Sequence, residues 1–382
     1  MARMKIDTNL SYDDVRKKYY VTLYYGTNES GKPIRESKSF DTEKEARTAL
    51  VLFETEKARN NVVTPRQTTF GEWLDYWLED VVRTNLEETT QYGYGQMIKN
   101  HIKPILGDTP LQKLTPKHLQ QYYSLKMRGS KPLSANTVNK HHGLIATALK
   151  FAVTQDAILK SPADKVSPPR ARIKEKSAYS PDQLLALYNA VNGDRLEIVV
   201  KLAGYLGMRR EEICGLRWDN VDIDRRIIRI CEVMTSAGSK IVIKPPKTKT
   251  SIRTLSFPED VLTVLLREKQ TQVENKAFFK NDYQDGGYVV QWPDGRPYRP
   301  NYLSELFTGF IIKHGFPKIV LHDLRHSFAS IANLKGVTLF DISRALGHSR
   351  PDTTGKIYTH LFDKSHSEIV EKVSDAISDA GK

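Results

Sequence analysis

The residues with the most suggestive chemistry lie in the last quarter of the chain. His322 and Arg325 are three residues apart in LHDLRHSFAS, so a helix would place them on one face. A guanidinium beside an imidazole supplies the hydrogen-bond donors that a phosphodiester requires. Tyr358 follows His348 by ten residues in the polar segment LGHSRPDTTGKIYTH, where its hydroxyl is a candidate nucleophile. Taken singly, each of these residues is more often structural, so the prediction of a phosphodiester site depends on their combination.

The composition limits the class of protein. The chain has 382 residues and a formal net charge of +13, which favours two or three domains and a polyanionic partner such as nucleic acid. No apolar run is long enough to cross a membrane, and the N-terminus lacks the apolar segment of a secretory signal. Cys214 and Cys231 have no metal-type spacing, so we expect reduced thiols, a cytoplasmic protein and no zinc.

Residues 1–62 have the pattern of a small domain. Residues 19–25 alternate as in a strand, a turn follows at 28–33, and a second strand is expected from Ile34 to Phe40. Thr42 is then a candidate N-cap for a helix. A solvated basic face is the simpler interpretation of the charges here, and a DNA-binding face is the functional one. The candidate DNA contacts are Lys17, Lys18, Arg35 and Lys38.

Residues 65–160 predict a bundle of four helices. The first carries an apolar stripe that includes Trp73 and Trp77, which is more typical of a core than of a platform for stacking bases. The second is expected to stop near Pro104 and Gly107. Lys140, on the polar side of the fourth, is a candidate DNA contact.

Residues 161–178 form a proline-rich basic linker, either a flexible connector or a segment that follows a DNA backbone. Its candidate DNA contacts are Arg170, Arg172 and Lys174.

From 179 to 382 the pattern predicts a mixed, mainly α domain with a small β-sheet, and Ser180 and Pro181 open its first helix. The Ile/Val content of 221–230 and 239–257 predicts β-strands, and the second of these contains a lysine-rich turn at 244–250. Asp294-Gly295 suggests a hairpin. The overall class is therefore α+β and multidomain.

The motifs of this last domain occur in an order that resembles the tyrosine recombinases of the integrase type. All five features appear in family order over about 150 residues, which is far more specific than any one of them. They are Arg209 in Gly-Met-Arg-Arg-Glu-Glu, a lysine in PPKTKTSIRTLSF, His322 with Arg325, Leu346-Gly347-His348, and Tyr358 in Tyr-Thr-His.

The resemblance covers nearly the whole chain and implies its organisation. Residues 1–62 are similar to the β-sheet domain that binds arm-type DNA sites in integrases of phages and conjugative transposons, and 65–160 to the helical, SAM-like core-binding domain. The implied partners are double-stranded DNA with core-type and arm-type sites, three further copies of the chain in a tetramer on two duplexes, and an accessory protein that bends DNA or promotes excision. No cofactor or metal is implied.

The chemistry assigns a role to each motif residue. Arg209 and Arg325 would neutralise charge on the non-bridging oxygens during attack, and Glu212 would orient Arg209. His322 is the candidate acceptor of the tyrosine proton, and His348 would hydrogen-bond the scissile phosphate.

The leaving 5′-oxygen needs a proton, and a lysine on a turn can supply it. Lys247, the first lysine of Lys-Thr-Lys, fits the family pattern better, whereas Lys249 is assigned to the DNA backbone. Two alternatives remain. A type IB topoisomerase shares this chemistry, and a DNA-binding regulator would retain the fold without cleavage.

Overall fold

The computed structural model describes residues 3–27, 30–59, 61–170 and 177–347. His348 and Tyr358, two of the predicted site residues, lie outside these ranges, as do Arg172 and Lys174. The chain divides into two compact units near residue 173, and each unit is considered by itself. Among the described residues, none of the helices combines the length and the apolar character needed to cross a membrane.

The first unit begins with an antiparallel sheet in the order β1-β2-β3-β4, covered by a helix. Val21 and Leu23 on β3 are buried against that helix, which starts at Thr42 through the predicted cap. The first two strands were not predicted, because their four-residue length gives little periodicity. The elements are β1 Met4–Asp7, β2 Leu10–Asp13, β3 Lys18–Thr27, β4 Pro33–Phe40 and α1 Glu43–Ala58.

Four helical rods follow, as predicted, and they enclose an aromatic core. Trp73 and Trp77 are buried, and the Trp73 indole nitrogen donates a hydrogen bond to the Ala148 carbonyl at 3.0 Å. The elements are α2 Phe70–Tyr76, α3 Arg83–Asn85, α4 Glu88–Met97, α5 Lys103–Leu106, α6 Pro116–Arg128 and α7 Ala135–Thr154. Two π-helical segments, Trp77–Val82 and Ile98–Ile102, join α2 to α3 and α4 to α5.

The second helical rod contains Pro104 and ends just beyond it, in the region that was predicted. A proline inside an α-helix lacks an N–H donor and clashes with the preceding turn. Here the π-helical segment Ile98–Ile102 comes directly before, and Pro104 falls in the first turn of α5. The wider turn accommodates the ring, and the rod ends at Gly107 as expected.

The second unit is mainly α, with two small sheets. A three-stranded sheet has the order β5-β6-β9, and β7 pairs with β8 in a separate ribbon. Its helices are α8 Pro181–Ala190, α9 Glu197–Leu206, α10 Arg210–Cys214, α11 Glu259–Phe279, α12 Pro300–Lys313, α13 Asp323–Leu334 and α14 Leu339–Leu346. Its strands are β5 Val221–Asp222, β6 Ile227–Ile230, β7 Val233–Ala237, β8 Lys240–Lys244 and β9 Arg253–Ser256. The predicted α+β multidomain class is therefore confirmed.

The turn expected at Asp294-Gly295 is present, but it joins very little paired strand. Gly295 has a φ of 87° and turns the chain, but the only pairing across this turn, within the described residues, is one bridge between Gln291 and Pro297. Pro293 and Pro297 have no N–H to donate, so a ladder cannot extend here.

Candidate active site

The site is built first on a glycine turn between α9 and α10. Gly207 ends α9 in the left-handed conformation, with a φ of 61°. A Cβ atom there would lie 2.7 Å from the Leu346 side chain, so the close approach of α14 also requires glycine. Arg209 follows as the N-cap of α10.

Glu212 lies three residues into this second helix and holds Arg209 from two sides. Its Oε2 accepts the Arg209 backbone N–H at 2.8 Å, and its Oε1 accepts from Nη1 at 2.7 Å. Burial raises the pKa of the Glu212 carboxyl, but the hydrogen bonds and charge of Arg253, together with Arg209, outweigh burial and bring it to about 2. Glu212 is therefore an anion in the site, in contact with Arg209 as the sequence predicted.

Arg253, at the start of β9, was missed by the sequence analysis. Its Nη1 and Nη2 donate to the two oxygens of Glu212, each at 2.9 Å. The two side chains are 8% and 1% exposed, so this is a buried ion pair. The only feature of the sequence that could have drawn attention to Arg253 is its position four residues after Lys249, in the segment PPKTKTSIRTLSF.

His322 and Arg325 lie at the start of α13. His322 is the residue before the helix rather than within it, and its carbonyl accepts the Arg325 backbone N–H at 3.2 Å. Arg325 is 1% exposed, and its Nη1 donates to the Gly207 carbonyl at 2.5 Å. Burial is the largest cause that lowers the pKa of His322, and the charge of Arg325 is the next. Glu211 opposes them, and Arg209 adds a smaller lowering. His322 is thereby kept neutral near pH 7, as a proton acceptor must be.

The carboxyl end of α14 brings these arginines together. The last carbonyls of a helix have no partner within the helix, and cations are favoured beside them. Three successive carbonyls here accept from three different guanidinium groups. The pairs are Ala345 with Arg253 Nε at 2.7 Å, Leu346 with Arg325 Nη2 at 2.5 Å, and Gly347 with Arg209 Nη2 at 3.3 Å.

The lysine turn, residues 245–252, joins β8 to β9 and touches the site at its end. The Ser251 hydroxyl donates to the Gly347 carbonyl at 3.3 Å. Lys247 and Lys249 are both exposed on this turn, and Lys249 opens a short 3₁₀ segment. The structure therefore gathers Arg209, Glu212, Arg325 and His322, and it attaches the lysine turn to them.

The basic residues predicted to bind DNA in the N-terminal sheet do not share one surface. Arg35 pairs in register with Tyr24, whereas Lys38 pairs with Val21, whose side chain is buried beneath α1. Because paired residues in neighbouring strands lie on the same face, Arg35 and Lys38 lie on opposite faces. Lys38 lies 3.7 Å from Glu36.

Lys17 and Lys18 precede and begin β3. Lys17 is in the turn after β2, 3.3 Å from Asp14, and Lys18 pairs with Asp41. In the remainder of the first unit, Lys140 is exposed on α7 and Arg170 is exposed after it. Over the described ranges, no group of His, Cys, Asp and Glu side chains could hold a metal ion.

Three family models match successive parts of the chain. The phage integrase family matches residues 178–365, the N-terminal SAM-like domain of phage integrases matches 69–127, and an arm DNA-binding domain matches 10–57. The chain belongs to the phage integrase family and is a tyrosine-type site-specific DNA recombinase.

Relatives are similar over almost the full length. A protein named tyrosine recombinase XerC-like, from Caldanaerobacter subterraneus subsp. tengcongensis, is 28% identical over 381 residues, 94% of this chain and 96% of the relative. The ICEBs1 integrase of Bacillus subtilis is 24% identical over 367 residues, 94% of this chain and 97% of the relative.

Solved structures share the fold. The Tn1549 transposon integrase in complex with a circular intermediate DNA has a TM-score of 0.68 at 20% identity, covering 80% of this chain and 99% of that one. A lambda integrase tetramer bound to a Holliday junction has a TM-score of 0.56 at 18% identity, covering 93% of this chain and 96% of that one.

Proposed function

We propose that this recombinase cuts one DNA strand at a time, with Tyr358 as the nucleophile. The Tyr358 oxygen attacks phosphorus, the bond to the 5′-oxygen breaks, and the strand end is held as a 3′-phosphotyrosyl ester. The 5′-hydroxyl of another duplex then attacks this ester and releases the tyrosine. Because the ester replaces the broken ester bond, the exchange requires no ATP. Integration or excision of a mobile element is the sum of such exchanges.

The convergence of Arg209, Arg325 and His322 at one place is the observation that carries this proposal. Arginine forks match the paired oxygens of a phosphate, and a charge-assisted hydrogen bond contributes roughly 1.5–3 kcal/mol. Developing charge in the transition state would strengthen these contacts, which is how they accelerate cleavage.

Proton transfers complete the step. The Tyr358 proton passes to neutral His322, and Lys247 gives a proton to the leaving 5′-oxygen, with Lys249 assigned to the DNA backbone. His348 donates a hydrogen bond to the scissile phosphate. Glu212 holds Arg209 in place through the two contacts described above.

Each domain has a proposed part in binding DNA. Arm-type sites are bound by residues 1–62 and core-type sites by residues 65–160. The linker 161–178 follows the DNA backbone, and the domain 179–382 cuts the DNA strand. The lambda integrase tetramer on a Holliday junction supports a tetramer of this chain on two duplexes, and the Tn1549 integrase complex supports DNA binding. An accessory protein for bending or excision completes the assembly, which acts in the cytoplasm, where its DNA lies.

The test is formation of a denaturant-resistant protein–DNA adduct without added metal or ATP. The substrate is a pool of DNA duplexes, some with randomised sequences and some with the end sequences of mobile elements. The trapped DNA is then sequenced. Tyr358→Phe should abolish the adduct, whereas Tyr283→Phe, the same change at a tyrosine that contacts Gln291, should leave it intact. An adduct that persists in Tyr358→Phe would contradict the nucleophile. Salt-sensitive DNA binding by the wild-type chain without any adduct would favour the regulator instead.

A further inference from the structure

Arg253 joins three segments of the candidate site through one buried side chain. Besides its two contacts with Glu212, its Nε donates to the Ala345 carbonyl at 2.7 Å and its Nη1 to the Ser251 carbonyl at 3.2 Å. Those partners belong to helix α10, the end of α14 and the end of the lysine turn. A Cβ atom on Gly347 would lie 3.1 Å from Arg253 Nη1, so the guanidinium also packs closely against α14.

We propose that Arg253 is a positioning residue for strand cleavage, which sets the relative placement of Arg209, the lysine turn and the α14 terminus. It acts through Glu212 and two carbonyls and does not touch the phosphate. This inference rests on the proposed function, since it concerns how efficiently the same site cuts DNA. Arg253 is not among the site residues that the sequence motifs predicted.

An arginine is required because the contacts use the whole planar fork. Two terminal nitrogens meet two carboxylate oxygens, while Nε points to a third acceptor in another segment. Lysine has a single ammonium on a flexible stem and cannot reproduce this geometry, although it retains the charge. Arg253→Lys therefore separates positioning from charge.

The first measurement compares DNA binding with single-turnover cleavage by the full-length protein. The substrate carries a nick beside the cleavage site, so that the cut fragment diffuses away and the adduct accumulates. Arg253→Lys should leave the Kd for DNA within about twofold while adduct formation slows about 100-fold, as expected for a small misplacement of reacting groups. The matched control is Arg229→Lys, an exposed arginine on the neighbouring strand β6, which should change neither value.

The second measurement is the pH profile of Arg253→Gln, which tests action through Glu212. Arg209 from its own turn and Arg253 from β9 are the charged groups seen to contact this carboxylate in the described part of the chain. Without Arg253, burial dominates and the carboxyl pKa rises. Once protonated, Glu212 carries no charge to hold the Arg209 guanidinium. Cleavage by the variant should therefore fall at an acidic pH where the wild type is still active.

A double-mutant cycle gives the third readout. If Arg253 acts through Glu212, the double variant Arg253→Gln/Glu212→Gln should cleave about as fast as the slower single variant, because the second change removes a contact already lost. The double variant also leaves no unpaired buried carboxylate, so it guards against misfolding of Arg253→Gln alone. Rates are compared at temperatures where circular dichroism shows each variant folded.

The outcomes separate this inference from the function on which it rests. Wild-type adduct formation with Tyr358→Phe inactive establishes the reaction independently of Arg253. If Arg253→Lys and Arg253→Gln then cut at the wild-type rate, the positioning role is overturned while the function stands. The same holds if the rate loss of the double variant equals the product of the rate losses of the two single variants. If the wild type forms no adduct, the proposed function fails and the inference falls with it.

Discussion

Glu212→Gln would remove one negative charge from between two buried or half-buried arginines. The carboxylate accepts four hydrogen bonds, two from Arg209 at 2.8 and 2.7 Å and two from Arg253 at 2.9 Å each. Glutamine offers one acceptor oxygen, and its amide N–H groups would face donors. Removing one partner of a buried ion pair destabilises a protein by roughly 3–5 kcal/mol, because the other charge stays buried. We expect the free energy of unfolding of the second unit to fall by about this amount.

Denaturant unfolding of the full-length protein, with hydrogen exchange in α9 and α13, would measure the loss in the unit that contains the site. Glu259→Gln is the matched control. Its carboxylate lies 2.7 Å from Arg226, but both side chains are largely exposed, at 67% and 47%. Exposed pairs contribute about 0–1 kcal/mol, so this variant should unfold almost as the wild type does. Equal losses in the two variants would refute the buried network.

The same comparison has a defined pH dependence. The Glu212 carboxyl has a pKa near 2 when folded, below its ordinary value of 4.5. A depressed carboxyl pKa stabilises the fold above the unfolded-state pKa, and this stabilisation is lost as the pH falls towards the folded-state pKa. The stability difference between wild type and Glu212→Gln should therefore be constant above about pH 5 and shrink below it. A difference that stays constant down to pH 3 would contradict the assignment.

Three further outcomes follow from the site. Lys247→Ala should block cleavage of ordinary DNA but spare DNA with a 5′-bridging sulfur, because a sulfur leaving group needs no acid. Lys249→Ala should weaken DNA binding without this substrate preference. If Lys247→Ala loses activity equally on both substrates, Lys247 is not the acid. Because burial and neighbouring arginines lower the pKa of His322, single-turnover cleavage should lose activity only below the usual histidine range near 6.5, and a midpoint above it would argue against His322 as the acceptor. Gly207→Ala should lower the melting temperature, since it places a Cβ against Leu346 at a φ of 61°, and an unchanged melting temperature would show that α14 moves aside.

Local signals in the sequence were sufficient for much of the fold. Thr42 and Ser180 were placed at helix starts from their types and positions, and each accepts the expected backbone hydrogen bond. Such contacts join residues only three apart in sequence. The motif pattern likewise led to the Arg209–Glu212 contact.

Interactions between distant segments were not accessible in the same way. Arg253 meets Glu212 across 41 positions and Ala345 across 92, and nothing in its own neighbourhood indicates either partner. Strand β7, whose sequence is VMTSA, is half polar and was missed because its stability comes from pairing with β8. The π-helical segment before Pro104 also departs from the simple helical periodicity on which the prediction depended.

The three guanidinium groups at the end of α14 have a consequence for how readily a phosphate is captured. A free arginine side chain carries roughly 2 kcal/mol of rotamer entropy, which is lost when a ligand fixes it. Arg209 and Arg325 are already tied to backbone carbonyls, so much of that freedom is lost when the protein folds rather than when DNA binds. In the proposed reaction, capture of the scissile phosphate would then resemble docking onto side chains already held in place, with more of the contact energy available to the reaction.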